Sequence, residues 1–460
     1  MHQSLPRGTT TTYRCYAHID GSTQELIELI IQKNGGTKNI RGRYMVSVCF
    51  YFQVHQPFRM KRYSVFDIGR NHNYFDEQKN SEVMRKVAGK CYIPANAVLL
   101  ELINRYPDRF KVSFSISGVC LEQMKLYAPH VLDSFKALAA TGQVEFLAET
   151  YYHSLSFLYN KEEFYEQVRK HVQTIQELFG QTPKVFRNTE LIYNNELAHH
   201  VEKLGFKAIL AEGWDPVLDW RNANFVYKGK TTDGLRLLMK NYRLSDDVAF
   251  RFSNRGWNEW PLTAEKYARW VNNVNGNGHT LNLFMDYETF GEHQWEDTGI
   301  FDFLRALPGE LFKHPDNSFK TVSEVIESCP MMDEVDVHNF ISWADIERDL
   351  SAWLGNKMQQ GALDEVYSMH KAVVQSGDAQ LLEDWRKLTT SDHFYYMCTK
   401  WFSDGDVHKY FNPYESPYEG YIAFMNVLND VALRAKVKIA RNGSGVVSPQ
   451  PSKHVMPYVG

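Results

Sequence analysis

The sequence predicts an α/β fold built on parallel strands and followed by a helical C-terminal region. Between Met45 and about residue 300, short β-rich runs alternate with stretches of 3.6-residue apolar spacing, the pattern of strands joined by crossover helices. After about residue 340 the β-rich runs stop and only helical patterns follow. Strand after strand also ends in ionisable residues, and in parallel α/β folds the C-terminal ends of the strands are where reactive groups gather.

Taken in chain order, strands are expected at residues 46–53, 111–116, 143–147, 184–186, 207–211, 235–239 and 281–285. Helices are expected between them at 93–105, 121–140, 162–179, 195–204 and 264–274. Seven such strands suit a closed or nearly closed barrel, and a wide doubly wound sheet would give a similar pattern. The C-terminal helices are expected at 344–354, 362–375, 379–388 and 421–439. Residues 1–44 differ in character, with a Thr run at Thr9–Thr12 and a short helical pattern opened by the capping-box spacing Ser22-x-x-Glu25. They read as an N-terminal extension upstream of a natural start at Met45, or else as a small helix packed on the outside. The Gly-, Ser- and Pro-rich tail 442–460 reads as disordered.

Charge and cysteine usage exclude several classes. Lys and Arg number 51 against 55 Asp and Glu, a formal net charge of −4, so there is no basic footprint for nucleic acid or an anionic membrane surface. No run approaches the ~18 apolar residues of a membrane span, and the N-terminus lacks the pattern of a secretory signal. Six scattered cysteines without a C-x-x-C pair suit free thiols in a reducing compartment, and a cytoplasmic location is expected. No phosphate loop, dinucleotide glycine fingerprint or nucleophile elbow is found, and no cofactor is expected. Aromatic residues make up 14% of the chain, which serves a large core and also suits the C–H faces of sugars.

The strand ends supply the candidate chemistry. Strand 46–53 runs into His55-Gln56-Pro57; strand 143–147 contains Glu145 and is followed by Glu149 and His153. Strand 184–186 runs into Arg187-Asn188-Thr189-Glu190, and strand 281–285 into Asp286-Tyr287-Glu288. Two carboxyl groups of opposed protonation, here Glu190 and Asp286, are what glycosidic bond cleavage requires. Each is otherwise an ordinary ion-paired acid at a barrel rim. Glu288 lies two residues beyond Asp286, on the same face if the strand continues, and competes with it; Glu149 competes in the same way with Glu145.

Four runs in this order, Phe52-Gln53-Val54-His55-Gln56-Pro57-Phe58, Gly142-Gln143-Val144-Glu145, Phe186-Arg187-Asn188-Thr189-Glu190-Leu191 and Phe284-Met285-Asp286-Tyr287-Glu288-Thr289-Phe290-Gly291, resemble the motif set of glycoside hydrolase family 57. A fifth, weaker region is Thr390-Ser391-Asp392-His393-Phe394-Tyr395-Tyr396, on an expected helix. The resemblance spans about Met45 to Tyr421. It implies an incomplete (β/α)7 barrel over 45–340 and a helical region over 341–441 that completes the cleft. It further implies a retaining α-amylase-type hydrolase of α-1,4-glucans, with Glu190 as nucleophile, Asp286 as general acid/base and no metal. His55 and Glu145 would then hold sugar hydroxyls with His153 near them, and Gln56 and Asp392 complete the expected substrate contacts. Two motifs depart from the family's pattern: Asn188-Thr189-Glu190 stands where many members carry a Trp-Leu-Pro-Glu type sequence, and Phe394, Tyr395 and Tyr396 stand where tryptophans are common.

The same carboxyl pair would serve a 4-α-glucanotransferase or a branching enzyme, which differ in whether water or a sugar hydroxyl intercepts the intermediate. A zinc-dependent hydrolase built from His55, His153 and Asp392, and a non-catalytic glycan-binding protein, are the alternatives from other classes. As stacking platforms Trp214, after strand 207–211, and Trp353, where Gly355 interrupts a helical pattern, stand ahead of Trp343, Trp257 and Trp260.

Overall fold

A computed structural model describes residues 46–400 and 412–443. The expected N-terminal extension lies outside the described residues, as does the tail beyond residue 443. Among the described residues there are ten strands: β1 (Ser47–Val54), β2 (Val112–Ile116), β3 (Val144–Phe146), β4 (Val185–Arg187), β5 (Ala208–Glu212), β6 (Val226–Gly229), β7 (Arg236–Lys240), β8 (Thr280–Asp286), β9 (Ser318–Phe319) and β10 (Met331–Val335). They form two five-stranded sheets, one ordered β3-β2-β1-β8 with β9 against β1, the other β10-β6-β7-β5-β4.

The seven expected strands are β1 to β5, β7 and β8, and every ladder among them is parallel. β6, antiparallel to β7, and β9 and β10 are additions too short or too exposed to register as alternating apolar runs. The sheets meet at two seams. At one, Ala148 N donates to Val185 O at 2.9 Å and Arg187 N to Ala148 O at 2.8 Å. At the other, Asn241 N donates to Asn282 O, and Asn282 Nδ2 to Met239 O, both at 2.9 Å. Single contacts rather than full ladders close these seams, and the result is an incomplete barrel.

Alternation along the strands sorts the core into two shells. Val48, Phe50, Phe52 and Val54 of β1 face the helices that cover the sheet, as do Leu283 and Met285 of β8. Cys49, Tyr51, Leu147, Val185, Leu210, Leu238 and Phe284 form the barrel's interior, closed from below by Val322 and Val325 of the helix Val322–Ser328.

The C-terminal helices build a second core around Trp353, Leu363, Trp385, Phe394, Phe424 and Leu428. Met60, Tyr63, Tyr74, Leu155 and Ile192, from loops after the barrel strands, join that core, so the helical region sits over the C-terminal ends of the strands. The helix expected at 121–140 breaks at Ala128, because Pro129 starts a new helix where its missing N–H costs nothing. The one expected at 344–354 is reduced to Ser351–Leu354, since Asp345 and Arg348 adopt left-handed backbone angles. The one at 362–375 is two helices, Lys357–Ser368 and His370–Gln375. Among the described residues no helix is long and apolar enough to cross a membrane.

Candidate active site

One step above the apolar interior, the same alternation places a layer of polar residues at the barrel's mouth: Gln53 of β1, Ser115 of β2, Arg187 of β4, Glu212 of β5, Lys240 of β7 and Asp286 of β8. Loops leaving β3 and β4 add Glu149, His153 and Glu190. Glu190 sits in a short turn with φ 57° and ψ 26°, and Leu191 and His153 also have φ of 51°. A non-glycine residue there costs of order 1 kcal/mol and persists only when its surroundings hold it. The bracing is visible: Asn188 Nδ2 donates to Ile192 O at 3.1 Å, Thr189 Oγ1 bonds Thr150 Oγ1 at 2.9 Å, and Trp343 N donates to Glu190 O at 3.2 Å.

Both carboxylate oxygens of Glu190 are engaged. His153 Nε2 lies 3.1 Å from Oε1, and Trp343 donates its indole N–H to Oε2 at 2.7 Å. Burial alone would raise the pKa of Glu190, but the His153 hydrogen bond and charge, the Arg187 charge and the Trp343 N–H together bring it below the ordinary value, so it stays ionised. His153 is buried, which disfavours its charge; hydrogen bonds to Glu149 (2.8 Å) and Glu190 outweigh that and carry it up to about 9. Glu149, which also accepts from Gln53 Nε2 at 3.1 Å, is desolvated yet drawn down to about 2 by His153, His171 and Arg187.

His55 stacks on His153 and behaves oppositely. Burial and the neighbouring imidazolium push its pKa down, against the pull of Asp392. Asp392 is itself held well below the usual carboxylate range, despite burial, by His55, and accepts from Nε2 at 2.9 Å; Nδ1 is then left to accept from the Ser117 hydroxyl at 2.6 Å.

Asp286 is partly exposed and makes no side-chain hydrogen bond to the described residues. Burial and the Glu190 charge raise its pKa to about 6, with Arg187, Lys240 and His153 opposing. Its competitor Glu288 lies past the strand's end in a 3-10 turn, where alternation no longer applies; it accepts from Tyr92 Oη, and burial followed by the Asp286 charge raises it to about 8. The Glu190 charge is the main charge raising Asp286, whereas for Glu288 it is the charge of Asp286.

Two of the sequence expectations are corrected. Glu145 faces the barrel interior at the opposite end, where Ser323 N donates to it at 2.9 Å, its Oγ does likewise, and a cleft of about 320 Å³ opens between the starts of β3 and β4. Glu149, four residues further along the same inward-facing row, is the acid that reaches the mouth. Trp353 is 1% exposed inside the helical core, tilted against Tyr395, and offers no ring face to a sugar. Trp214 is half-buried beyond β5. Gln56 is buried beneath the mouth, its Oε1 accepting from Arg59 at 3.0 Å.

The sequence does not single out Glu212, Lys240 and Arg348, which help complete the mouth. Trp343, a stacking candidate in the sequence, lies just before the expected helix 344–354, in the loop that replaces most of that helix, and turns its indole N–H to Glu190. Arg348, from the same loop, donates to Glu212 Oε2 at 2.6 Å, and Lys240 bonds Asp246 at 3.0 Å. Period-two counting from the apolar residues of β4, β5 and β7 would have picked out Arg187, Glu212 and Lys240. The zinc-site reading does not fit: among the described residues no group of three or more His, Cys, Asp or Glu is placed to hold a metal ion, and the four ring nitrogens of His55 and His153 are directed at Ser117, Asp392, Glu149 and Glu190.

An incomplete parallel barrel with two acids of opposed protonation at its mouth is the design of a glycosidase. The chain belongs to glycosyl hydrolase family 57, whose family pattern matches residues 49–338. It is 45% identical over 411 residues to the Methanocaldococcus jannaschii protein named "Putative alpha-amylase", covering 86% of each chain. Its fold is similar to that of the branching enzyme of Pyrococcus horikoshii (TM-score 0.62, 14% identity, 90% of this chain and 99% of that one). It is also similar to that of the 4-alpha-glucanotransferase of Thermococcus litoralis (TM-score 0.58, 16% identity, 76% of this chain and 56% of that one). This chain therefore spans little more than half of the glucanotransferase.

Proposed function

We propose that this protein is a retaining hydrolase of α-1,4-glucans, of the α-amylase type. Glu190 attacks the anomeric carbon while Asp286 protonates the departing glycosidic oxygen; Asp286, then a carboxylate, takes a proton from water as that water opens the glycosyl-enzyme. The observation that carries this reading is the division of protonation between two neighbouring acids. Glu190 is kept ionised by His153, Arg187 and Trp343, and its charge helps hold the proton on Asp286.

Around that pair His55 and Asp392 face the sugar from the helical side, Glu149 fixes His153, Gln56 supports the floor, and Trp214 offers a ring at the rim. The 45% identical relative named "Putative alpha-amylase" supports an α-glucan as substrate. The test is incubation with starch and maltooligosaccharides while product lengths are followed. Only shorter products are expected; longer ones would mean that a sugar hydroxyl intercepts the intermediate, as in a glucanotransferase or branching enzyme, and no change would overturn the substrate assignment.

A further inference from the structure

Arg187 is an unusual member of the polar layer. It is the last residue of β4, fully buried, and its backbone N–H closes the seam to Ala148. None of its three guanidinium nitrogens has a hydrogen-bond partner among the described residues. Buried arginines are normally paired through several N–H groups, because unsatisfied donors are costly. Here the guanidinium instead lies over the ring of Trp343, its carbon 4.8 Å from the centroid. That same indole donates to Glu190.

We propose that Arg187 is a positioning residue: pressed on the face of Trp343, it aims the indole N–H at Glu190, and it holds one fixed positive charge beneath Glu190 and Asp286 together. This rests on the roles proposed above for those two acids. The groups that face the guanidinium are Tyr51 from β1, Glu149 from the loop after β3, Glu190 after β4 and Asp286 at the end of β8. His153 and Lys240 act on Asp286 with the same sign as Arg187, and Lys240 also lies 5.4 Å from the Trp343 ring. The Asp286 charge in turn raises Glu288, two residues along the chain. Staying free of any one carboxylate has a consequence. A guanidinium locked bidentately to Glu190 would quench the nucleophile, whereas an unbonded one lowers both acids by Coulomb interaction alone.

Removing the charge must therefore raise both acids. In the pH profile of kcat/KM, the acid limb reports Glu190 losing its proton and the alkaline limb reports Asp286 losing its own. Arg187→Met is expected to move both limbs to higher pH by about one unit, the size of a neighbouring-charge effect. Arg187→Lys, which keeps the charge, is expected to leave both limbs near the wild-type positions. Trp343→Phe, which removes the N–H to Glu190 but keeps an aromatic face and leaves every charge in place, is expected to move the acid limb alone. Unmoved limbs in a folded Arg187→Met variant, or limbs that move equally in Arg187→Lys, would overturn the proposal.

Should Arg187→Met not fold, the clamp is tested by combining Arg187→Lys with Trp343→Phe. The aiming role predicts that Trp343→Phe costs less in the Lys background than in the wild type, and additive losses in kcat/KM would overturn it. Failure of the underlying reading looks different: wild-type protein without turnover on α-glucans, or a fully active Glu190→Gln. In that event the carboxyl titration of Asp286, followed by infrared difference spectroscopy in wild type and Arg187→Met, still reads the charge effect.

Discussion

The imidazole of His55 lies nearly flat on that of His153, ring centroids 3.9 Å apart and planes 20° from parallel. Two like cations would repel at that distance, and the pair avoids this by splitting its protonation. His153, between Glu149 and Glu190, is charged; His55, beside one carboxylate, is driven neutral.

His153 therefore couples stability to pH. Its folded pKa of about 9 lies above the ordinary 6.5, so its contribution is fully present below about pH 6.5 and is lost as pH rises through 9. Replacing His153 by Gln is expected to lower Tm much more at pH 6 than at pH 9.5. An equal drop at both values in thermal unfolding would show that His153 is not held charged.

The rate has its own pH window. With Asp286 raised to about 6 and Glu190 kept below its ordinary value, kcat/KM is expected to fall as pH rises through about 6 and again at low pH. An alkaline limb near 8 instead would point to Glu288 as the acid.

Azide separates the roles of the two acids. Using α-maltosyl fluoride, Glu190→Gly with azide is expected to give the β-glycosyl azide, because azide enters the space left by the nucleophile. Asp286→Gly is expected to give the α-glycosyl azide by intercepting the glycosyl-enzyme. Without azide both variants should lose several orders of magnitude in turnover of starch. NMR of the anomeric products checks this, and the same anomer from both variants would contradict the assignment.

Glu145 and Glu149 share a strand row but not a task. Glu149→Gln is expected to lower kcat/KM at least about a hundredfold through His153, within the range of a disrupted proton-transfer network. Glu145→Gln should leave kcat/KM within about twofold and cost about 1–2 kcal/mol of stability, since it weakens the charge-assisted bonds from Ser323. Steady-state kinetics with urea unfolding distinguishes the two, and a catalytic loss in Glu145→Gln would restore the sequence expectation.

Trp353 and Trp214 should separate in the same way. Trp353→Ala removes a buried ring and is expected to destabilise by about 3–5 kcal/mol. Trp214→Ala, at a half-buried position, should fold normally and raise KM for maltooligosaccharides. Unchanged KM would remove Trp214 from the binding surface.

The sequence carried the strands of the barrel because each is a local signal, a short apolar run bounded by turn residues, and Val46 to Gln53 or Leu281 to Met285 need no knowledge of their neighbours to be read. Loop 344–350 misled for the opposite reason. Its composition suits a helix, but ion pairing of Arg348 with Glu212 and Asp246 accompanies a left-handed backbone there.

By itself, then, the sequence determined the class of fold, the seven main strands along the chain and the placing of carboxyl groups at strand ends, all of which depend on local periodicity and short-range turn chemistry. Tertiary structure alone decided the rest. Which of Glu145 and Glu149 reaches the mouth depends on where β3 ends against its neighbours, and which of Trp343 and Trp353 meets the site depends on a loop held from across the barrel. Which acid keeps its proton depends on charges from four separate segments acting through space.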